Sequence, residues 1–443
     1  MQHPDRKSPP QVSSFGHLNV PSIRVMTLDN GLPLKVIDHG SQDVCRLTCV
    51  WDGGIAESPS ISLPTMILSL MQEGTRHHSG VEIADRIEFN GARIASGVNS
   101  HHSFMNLFTL NSRADNVMPL LAEMIVEPSF PEREWGVIKE KTARTIELLR
   151  EKVEYYATCE INRLLMGDNH PLARMDTPDN VLSMTVDDAA RNYKSTYRPG
   201  RNVEGAPTMT LYLAGHVTPG LEELVNRTFG SIDIDSSRGV ELKFVPFGSE
   251  NDSRRLIEME GVLQSAVRMG IPTISRQHPD YIELRLLVMA LGGYFGSRLM
   301  RNIREDKGYT YGIQSYLLGH PEGGLMQIAT STDNRYVDAV IDESVKEIER
   351  LGTGDFTTGE MQRLQRYAMS SLASTLDSAF DIMDYYINQK VAFTPDGYFE
   401  QQVDAINSLT PQRLVEVARE HLSVDKLTIA VAGDCVNSAN ARS

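Results

Sequence analysis

Apolar residues at helical spacing and short stretches of alternating apolar and polar residues divide this chain into brief elements, and their order is written twice. From 59 to 75 (PSISLPTMILSLMQEGT) the apolar positions predict a helix closed at Gly74, and 279–293 (PDYIELRLLVMALGG) predicts its equal, closed at Gly292. VEIADRIEFNGARIA then predicts a short helix ended by Gly91 and followed by a strand; SRLMRNIREDKGYTYGI repeats that pattern with Gly308 as the stop. Near the end of each half a strand runs into Ala-Gly, TLYLAGHV at 210–217 and LTIAVAGDC at 427–435. Each is preceded by a helix opened by a threonine, Thr185 or Thr410, and charged helices at 131–152 and 357–375 also correspond.

Anchors that recur at an offset of about 218 residues imply an internal duplication. The expected fold class is α+β, with two homologous domains, each a mostly antiparallel sheet covered by helices. The expected boundaries are a disordered or extended lead over 1–21, a first domain over 22–235, a polar linker over 236–254 and a second domain over 255–443. One large α/β domain is the alternative, but strict strand–helix–strand alternation is missing.

Chemistry concentrates in the second copy, between Leu291 and Ser315. A helix beginning near Ser297 carries Leu299, Met300 and Ile303 on one face, with Arg298, Arg301, Arg304 and Lys307 on or near the other. After Gly308 the spacing of Tyr309, Tyr311, Ile313 and Ser315 predicts a strand. Arg304 ends the helix and Tyr311 heads the strand, so a tight glycine turn would let a guanidinium fork and a phenol meet one carbonyl or carboxylate. An ordinary surface helix bearing an Arg and a Tyr fits the same residues.

Composition narrows the function classes. With 443 residues, 41% hydrophobic and 23% charged, the chain reads as a soluble globular protein of two or more domains. No run of eighteen apolar residues predicts a membrane span, and the polar, Pro-rich start lacks the apolar core of a secretory signal, so a cytoplasmic location is expected. A formal charge of −15 argues against nucleic acid. Cys45, Cys49, Cys159 and Cys435 form no CxxC pair and are expected to be reduced and mostly buried. His77-His78 and His101-His102 are expected to be solvated turn or strand-end residues, the latter pair pointing to opposite faces, and His170 to have a packing or turn role.

Several further pieces, in order, carry a resemblance: LDNGLPLKVI (28–37), the helix ending Glu73-Gly74-Thr75, EPSFPEREWGVIKE (127–140), GDNHPLARMDTPDNVLSMT (167–185) and GSRLMRNIREDKGYTYG. From about 22 to 436 the chain resembles the pitrilysin/insulinase-like (inverzincin) metallopeptidases, notably their short bacterial members related to mitochondrial processing peptidase. The resemblance implies two repeated domains forming half a clamshell. Active members carry H-x-x-E-H in the helix before EGT, two His to hold zinc and a Glu as general base. Aligned on Glu73-Gly74-Thr75, those ligand positions are Thr65 and Ser69 and the base position is Leu68, so no zinc is expected in this chain. Glu140 and Glu147, seven apart, match the family's two downstream glutamates. Arg304 and Tyr311 match an Arg and Tyr that reach, in active members, toward a zinc site across a closed chamber.

The resemblance therefore implies a non-zinc subunit. It would supply Arg304 and Tyr311 in trans to a homologous zinc-bearing subunit that hydrolyses unfolded peptides, with no proteolytic activity alone. A catalytically inactive scaffold or peptide-binding homologue, like the family members built into respiratory complexes, is the alternative. Self-association into a homodimer is expected when the partner is missing.

Overall fold

The computed structural model describes residues 18–248 and 253–434. Its first half runs β1 (Arg24–Thr27), β2 (Pro33–Asp38), β3 (Val44–Asp52), α1 (Leu63–Leu70), α2 (Gly80–Phe89), β4 (Arg93–Val98), β5 (His102–Leu110), α3 (Ala114–Val126), α4 (Glu132–Arg150), α5 (Val153–Met166), α6 (Pro178–Ser183), α7 (Val186–Thr196), β6 (Gly200–Arg201), β7 (Met209–Gly215), α8 (Pro219–Phe229) and β8 (Asp235–Arg238). The second runs β9 (Arg254–Glu258), β10 (Gln264–Thr273), α9 (Tyr281–Gly292), a π-helical turn (Met300–Asp306), β11 (Ile313–His320), β12 (Gly323–Asp333), α10 (Val337–Leu351), α11 (Thr358–Ser374), α12 (Ala379–Val391), α13 (Tyr398–Ser408), α14 (Pro411–His421) and β13 (Thr428–Gly433).

Two sheets follow one plan. The first has the order β1-β2-β7-β3-β5-β4 and the second β9-β13-β10-β12-β11, written here from its opposite edge. Leaving out β1, each opens with a parallel pair, β2 with β7 and β9 with β13, and every other neighbour is antiparallel. These are mostly antiparallel sheets covered by helices, so the single α/β alternative is excluded.

Both central strands are buried on both faces, which explains their nearly continuous apolar character. Along β3, Cys45, Leu47, Cys49 and Trp51 enter the core of the first half, while Val50 faces the other way, toward Ile382 and Met383 of α12. Along β10, Val267, Met269 and Ile271 enter the second core, and the alternate face receives α5. That face is lined with small residues, Ala266, Ala430 and Ala432, which lets the helix lie close. Gly270 is needed there: a Cβ would fall 2.4 Å from Leu165 of α5.

The two halves thus exchange a helix, each covering the other's sheet. α12 is fastened to the first sheet by Arg46–Asp384, by Lys390 Nζ to Asp52 at 2.8 Å and by Ile382, which is fully buried. α5 is fastened to the second by Arg268 Nε to Thr158 Oγ1 at 3.1 Å and Gln327 Nε2 to Asn162 Oδ1 at 3.0 Å. Truncating Ile382 to Ala should cost about 2–5 kcal/mol through the cavity it leaves. Thermal unfolding would register this as a single early loss if the halves are coupled through α12.

The segments outside the sheets are also tied in. Residues 1–17 of the expected lead lie outside the described residues, but Leu18 and Val20 pack on the second core and the Pro21 carbonyl accepts the Tyr386 hydroxyl at 2.9 Å. In the linker, Phe244 meets His101 and Phe247 meets both His170 and His320, edge to ring at 5.0–5.6 Å. His170 donates Nε2–H to the Val245 carbonyl at 2.8 Å and accepts at Nδ1 from the Leu172 amide at 3.2 Å, a turn and packing role. Cys45 and Cys49 are buried free thiols, Cys159 is half-buried, and Cys435 lies outside the described residues.

The expectation of solvated histidines fails for His101 and His102. His101 is 2% exposed and is clamped between Glu57 Oε1 at Nδ1 and Glu322 Oε1 at Nε2, both at 2.7 Å. Two acceptors on two ring nitrogens require two N–H groups, hence an imidazolium. Burial alone would depress its pKa, but Glu322 and Glu57 overcome this and push it up to about 9. His102 is buried against Phe393, and burial together with Lys390 drives its pKa down to about 3, so it stays neutral. The local sequence offered no sign of this clamp because Glu322 comes from the other half.

Candidate functional site

α1 begins at Leu63 with Pro64 in its first turn, where a missing N–H costs nothing. Its apolar residues, Leu63, Met66, Ile67 and Leu70, sink into the first core and leave Thr65 and Ser69, one turn apart, on the open side. There they line a groove of about 740 Å³ with Gln72 and Glu73 of the following turn, and Lys141 and Thr145 of α4. Leu68 is fully buried in the core and does not line the groove.

The donor set does not suit zinc. Ser69 Oγ donates to the Thr65 carbonyl at 3.0 Å and Gln72 Nε2 to the Leu68 carbonyl at 2.9 Å, so these side chains serve the helix's own backbone. Asp176 spends one carboxylate oxygen on Ser60 Oγ at 2.6 Å and the Ser62 amide at 2.8 Å. Glu73 is the other acid in the groove lining; burial and then Glu134 raise its pKa, with Lys141 opposing. No imidazole lines the groove, and hydroxyls and amides are weak ligands for zinc beside those of an H-x-x-E-H helix.

Glu140 and Glu147 are exposed on α4. The α4 side chains that wall the groove are Val137, Ile138, Lys141, Thr142, Thr145, Ile146 and Leu149, and neither glutamate is among them. Seven-residue spacing places the two acids on one face, and tertiary packing turns that face outward. Replacing both with Ala should change folding stability by less than about 0.5 kcal/mol. Denaturant unfolding measures this, and a larger loss would mean they hold a contact that the exposed face does not predict.

Among the described residues, one set of three metal-apt side chains converges, and it lies elsewhere: His278, Asp280 and His421. Asp280 binds Arg413 at 2.6 Å through one oxygen and His421 Nε2 at 3.0 Å through the other, and its amide donates to His278 Nδ1 at 3.1 Å. Its donors are already committed to tying α9 to α14.

The second place is the turn after α9. Gly292 lets the end of α9 approach β11, for a Cβ there would fall 2.5 Å from the Ser315 amide nitrogen. The expected regular helix is instead a π-helical turn, with Lys307 N–H reaching the Asn302 carbonyl at 3.2 Å. Gly308 then reverses the chain at φ +64°. Arg298 is buried against Glu360 at 2.7 Å and Asp355 at 2.8 Å, over the Phe356 ring, and Lys307 pairs with Glu343.

Arg304 is different. Its guanidinium carbon lies 4.8 Å from the centroid of the Phe295 ring, and among the described residues no carboxylate pairs with it. Tyr311 is 92% exposed and lies before β11, which starts at Ile313; Tyr309 is the ring that packs, stacked on Tyr336 at 4.7 Å. The structure therefore shows no direct contact between Arg304 and Tyr311. Phe295, under Arg304, and Gly312, beside Tyr311, both line one cleft of about 490 Å³. Neither Arg304 nor Tyr311 lines the cleft itself; each stands next to a residue that does, and among the described residues neither pairs with a carboxylate.

Comparison with known proteins gives a family description and a fold. Residues 183–367 match the family description "Peptidase M16 inactive domain". The chain is similar to an uncharacterized zinc protease, YmxG, of Bacillus subtilis, at 21% identity over 91% of this chain and 96% of that one. It is also similar to a non-peptidase homolog, YmxG, of Helicobacter pylori, at 19% identity over 86% and 87% of the two chains. In fold it matches the crystal structure of a peptidase M16 inactive domain from Pseudomonas fluorescens, with a TM-score of 0.82 and 20% identity over 93% and 98%.

Proposed function

Because this chain is a homologue of the M16 peptidases with Thr65, Leu68 and Ser69 where the zinc motif would stand, we propose that it is the non-zinc subunit of a heterodimeric peptidase. It lends Arg304 and Tyr311 to the zinc site of a homologous partner and has no proteolytic activity alone. One observation carries the reading: no imidazole lines the α1 groove, while Tyr311 is exposed and Arg304, seated on Phe295, has no carboxylate partner among the described residues.

The chemistry suits peptide hydrolysis. As water adds to a peptide carbonyl, the oxygen gains negative charge, and a guanidinium and a phenol aimed at it lower the barrier by preorganised electrostatics. The same groups would hold the substrate's backbone carbonyl in the ground state, orienting it toward the partner's metal. An extended, unfolded peptide exposes such carbonyls, whereas a folded one has them paired.

A non-catalytic scaffold is the second reading, favoured by the seat of Arg304 on Phe295, which gives that side chain a packing role of its own. Two measurements on the purified chain separate the readings. Dialysed against zinc and then against buffer, it should retain far less than one zinc per chain; stoichiometric retention would overturn the assignment of the α1 groove. Sedimentation with the homologous H-x-x-E-H-bearing chain should give a one-to-one complex, and a chain that never associates with it would leave the scaffold reading.

A further inference from the structure

A further pocket, apart from the α1 groove and the cleft beside β11, lies between α9, α11, α12 and α13 and has a volume of about 460 Å³, within the range of small-molecule sites. Tyr281, Arg285 and Met289, one helical turn apart along α9, face into it, with Arg276 from the preceding loop and Gln402 from α13. We propose that this pocket binds a small organic anion, a carboxylate or a phosphate, held in the fork between Arg276 and Arg285.

The Nε atoms of both arginines and the hydroxyl of Tyr281, a residue only 1% exposed, are shielded from solvent and have no hydrogen-bond partner. Arg285 gives one N–H to the neutral amide oxygen of Gln402, and Arg276 lies over the Tyr281 ring at 5.7 Å. Among the described residues no carboxylate pairs with either guanidinium. Burial lowers the pKa of Arg285; the phenols of Tyr398 and Tyr281 oppose this, Arg276 adds to it, and no carboxylate contributes.

Other buried arginines in this chain are provided for. Arg298 has Glu360 and Asp355, Arg46 has Asp384, and Arg268 is held by Thr158 and two backbone carbonyls. Two neighbouring half-buried cations whose Nε–H groups are shut off from water, with no carboxylate paired to either among the described residues, are costly unless something neutralises them. Carboxylate and phosphate have the planar or tetrahedral oxygens that guanidinium forks accept in pairs, and Tyr281 adds a hydroxyl donor. Met289, Leu317 and Leu372 supply an apolar wall, which calls for an anion with a hydrocarbon body.

The test uses the full chain and three probes, inorganic phosphate, phenyl phosphate and benzoate, titrated calorimetrically against chloride at equal ionic strength. At least one organic anion should bind saturably, with affinity reduced tenfold or more in Arg285→Met, and in Arg276→Met should the first variant not fold. The ranking of the probes tells phosphate from carboxylate. Without any anion, Arg285→Met should melt higher than the wild type, since it removes an uncompensated buried charge. No saturable binding by the wild-type chain up to about 10 mM of any probe overturns the proposal, as does binding that the arginine substitutions leave unchanged.

Discussion

In a complex reconstituted with the zinc-bearing homologue, Arg304→Ala is expected, on the proposed function, to lower kcat about 100-fold, the usual effect of deleting one donor to a developing oxyanion. KM should rise by much less, because the hold on the ground-state carbonyl is weaker than the interaction that forms as charge builds in the transition state. Tyr311→Phe keeps the ring and removes only the hydroxyl, so it isolates the hydrogen bond. Neither change should disturb folding: Arg304 has no carboxylate to strand among the described residues, and Tyr311 is 92% exposed. Steady-state kinetics with an unfolded peptide, beside sedimentation of the same complexes, checks both points. If both substitutions are silent in an active complex, the pair has no catalytic role; if they weaken association in step with rate, they belong to the interface.

His101→Ala is expected to cost about 3–5 kcal/mol, because it strands two buried carboxylates facing each other. Those acids come from different halves, so the loss should loosen the junction of the halves before either core melts. The pH dependence follows from the sign of the shift. A folded-state pKa of about 9 against an ordinary 6.5 gives a contribution fully present below pH 6.5 and lost as pH rises through about 9. Its size is about 3 kcal/mol. Glu322 adds an acid limb: its pKa is lowered, since hydrogen bonding, first of all to His101, outweighs the effect of burial, so its contribution is fully present above its ordinary range and is lost as pH falls from there through the lowered value. Limited proteolysis of the 240–248 stretch between pH 6 and 10 should accelerate toward the alkaline end in the wild type. In His101→Ala it should be fast throughout; an equal alkaline rise in both would assign the slope to another group.

Much of the fold was legible because its elements obey local rules. α4 and α11 came from charge-paired amphipathic periodicity, α2 from its glycine stop, and the strands ending in Ala-Gly proved to be β7 and β13, which occupy equivalent places in the two sheets. The exchange of α5 and α12 was not legible. Ala266, Gly270, Ala430 and Ala432 are small for the sake of a helix more than a hundred residues distant, and no window of sequence spans that distance. The His101 clamp was hidden for the same reason.

Within the candidate site the identities Thr65, Leu68, Ser69, Arg304 and Tyr311 could be read, but their geometry less well. Period-seven spacing grouped Glu140 with Glu147 without saying which way that face turns. Alternation suggested that Tyr311 starts a strand, yet Thr310 takes up the Ser331 carbonyl at 2.7 Å and the Gly312 carbonyl at 3.0 Å, which keeps 309–312 out of the sheet. The π-helical turn replaces the expected helix between a glycine pair and Gly308, where the chain must deliver Ile303 to the core and still reverse into β11.

The division of labour between two chains is tested most directly by peptide cleavage in a reconstitution. The chain alone with added zinc, the H-x-x-E-H-bearing homologue alone, and their equimolar mixture are each given an unfolded peptide, with and without a chelator. This chain should cleave nothing and its homologue little, while the mixture should show chelator-sensitive cleavage. Chelator-sensitive cleavage by this chain alone, or a mixture no faster than the homologue by itself, would contradict that division of labour.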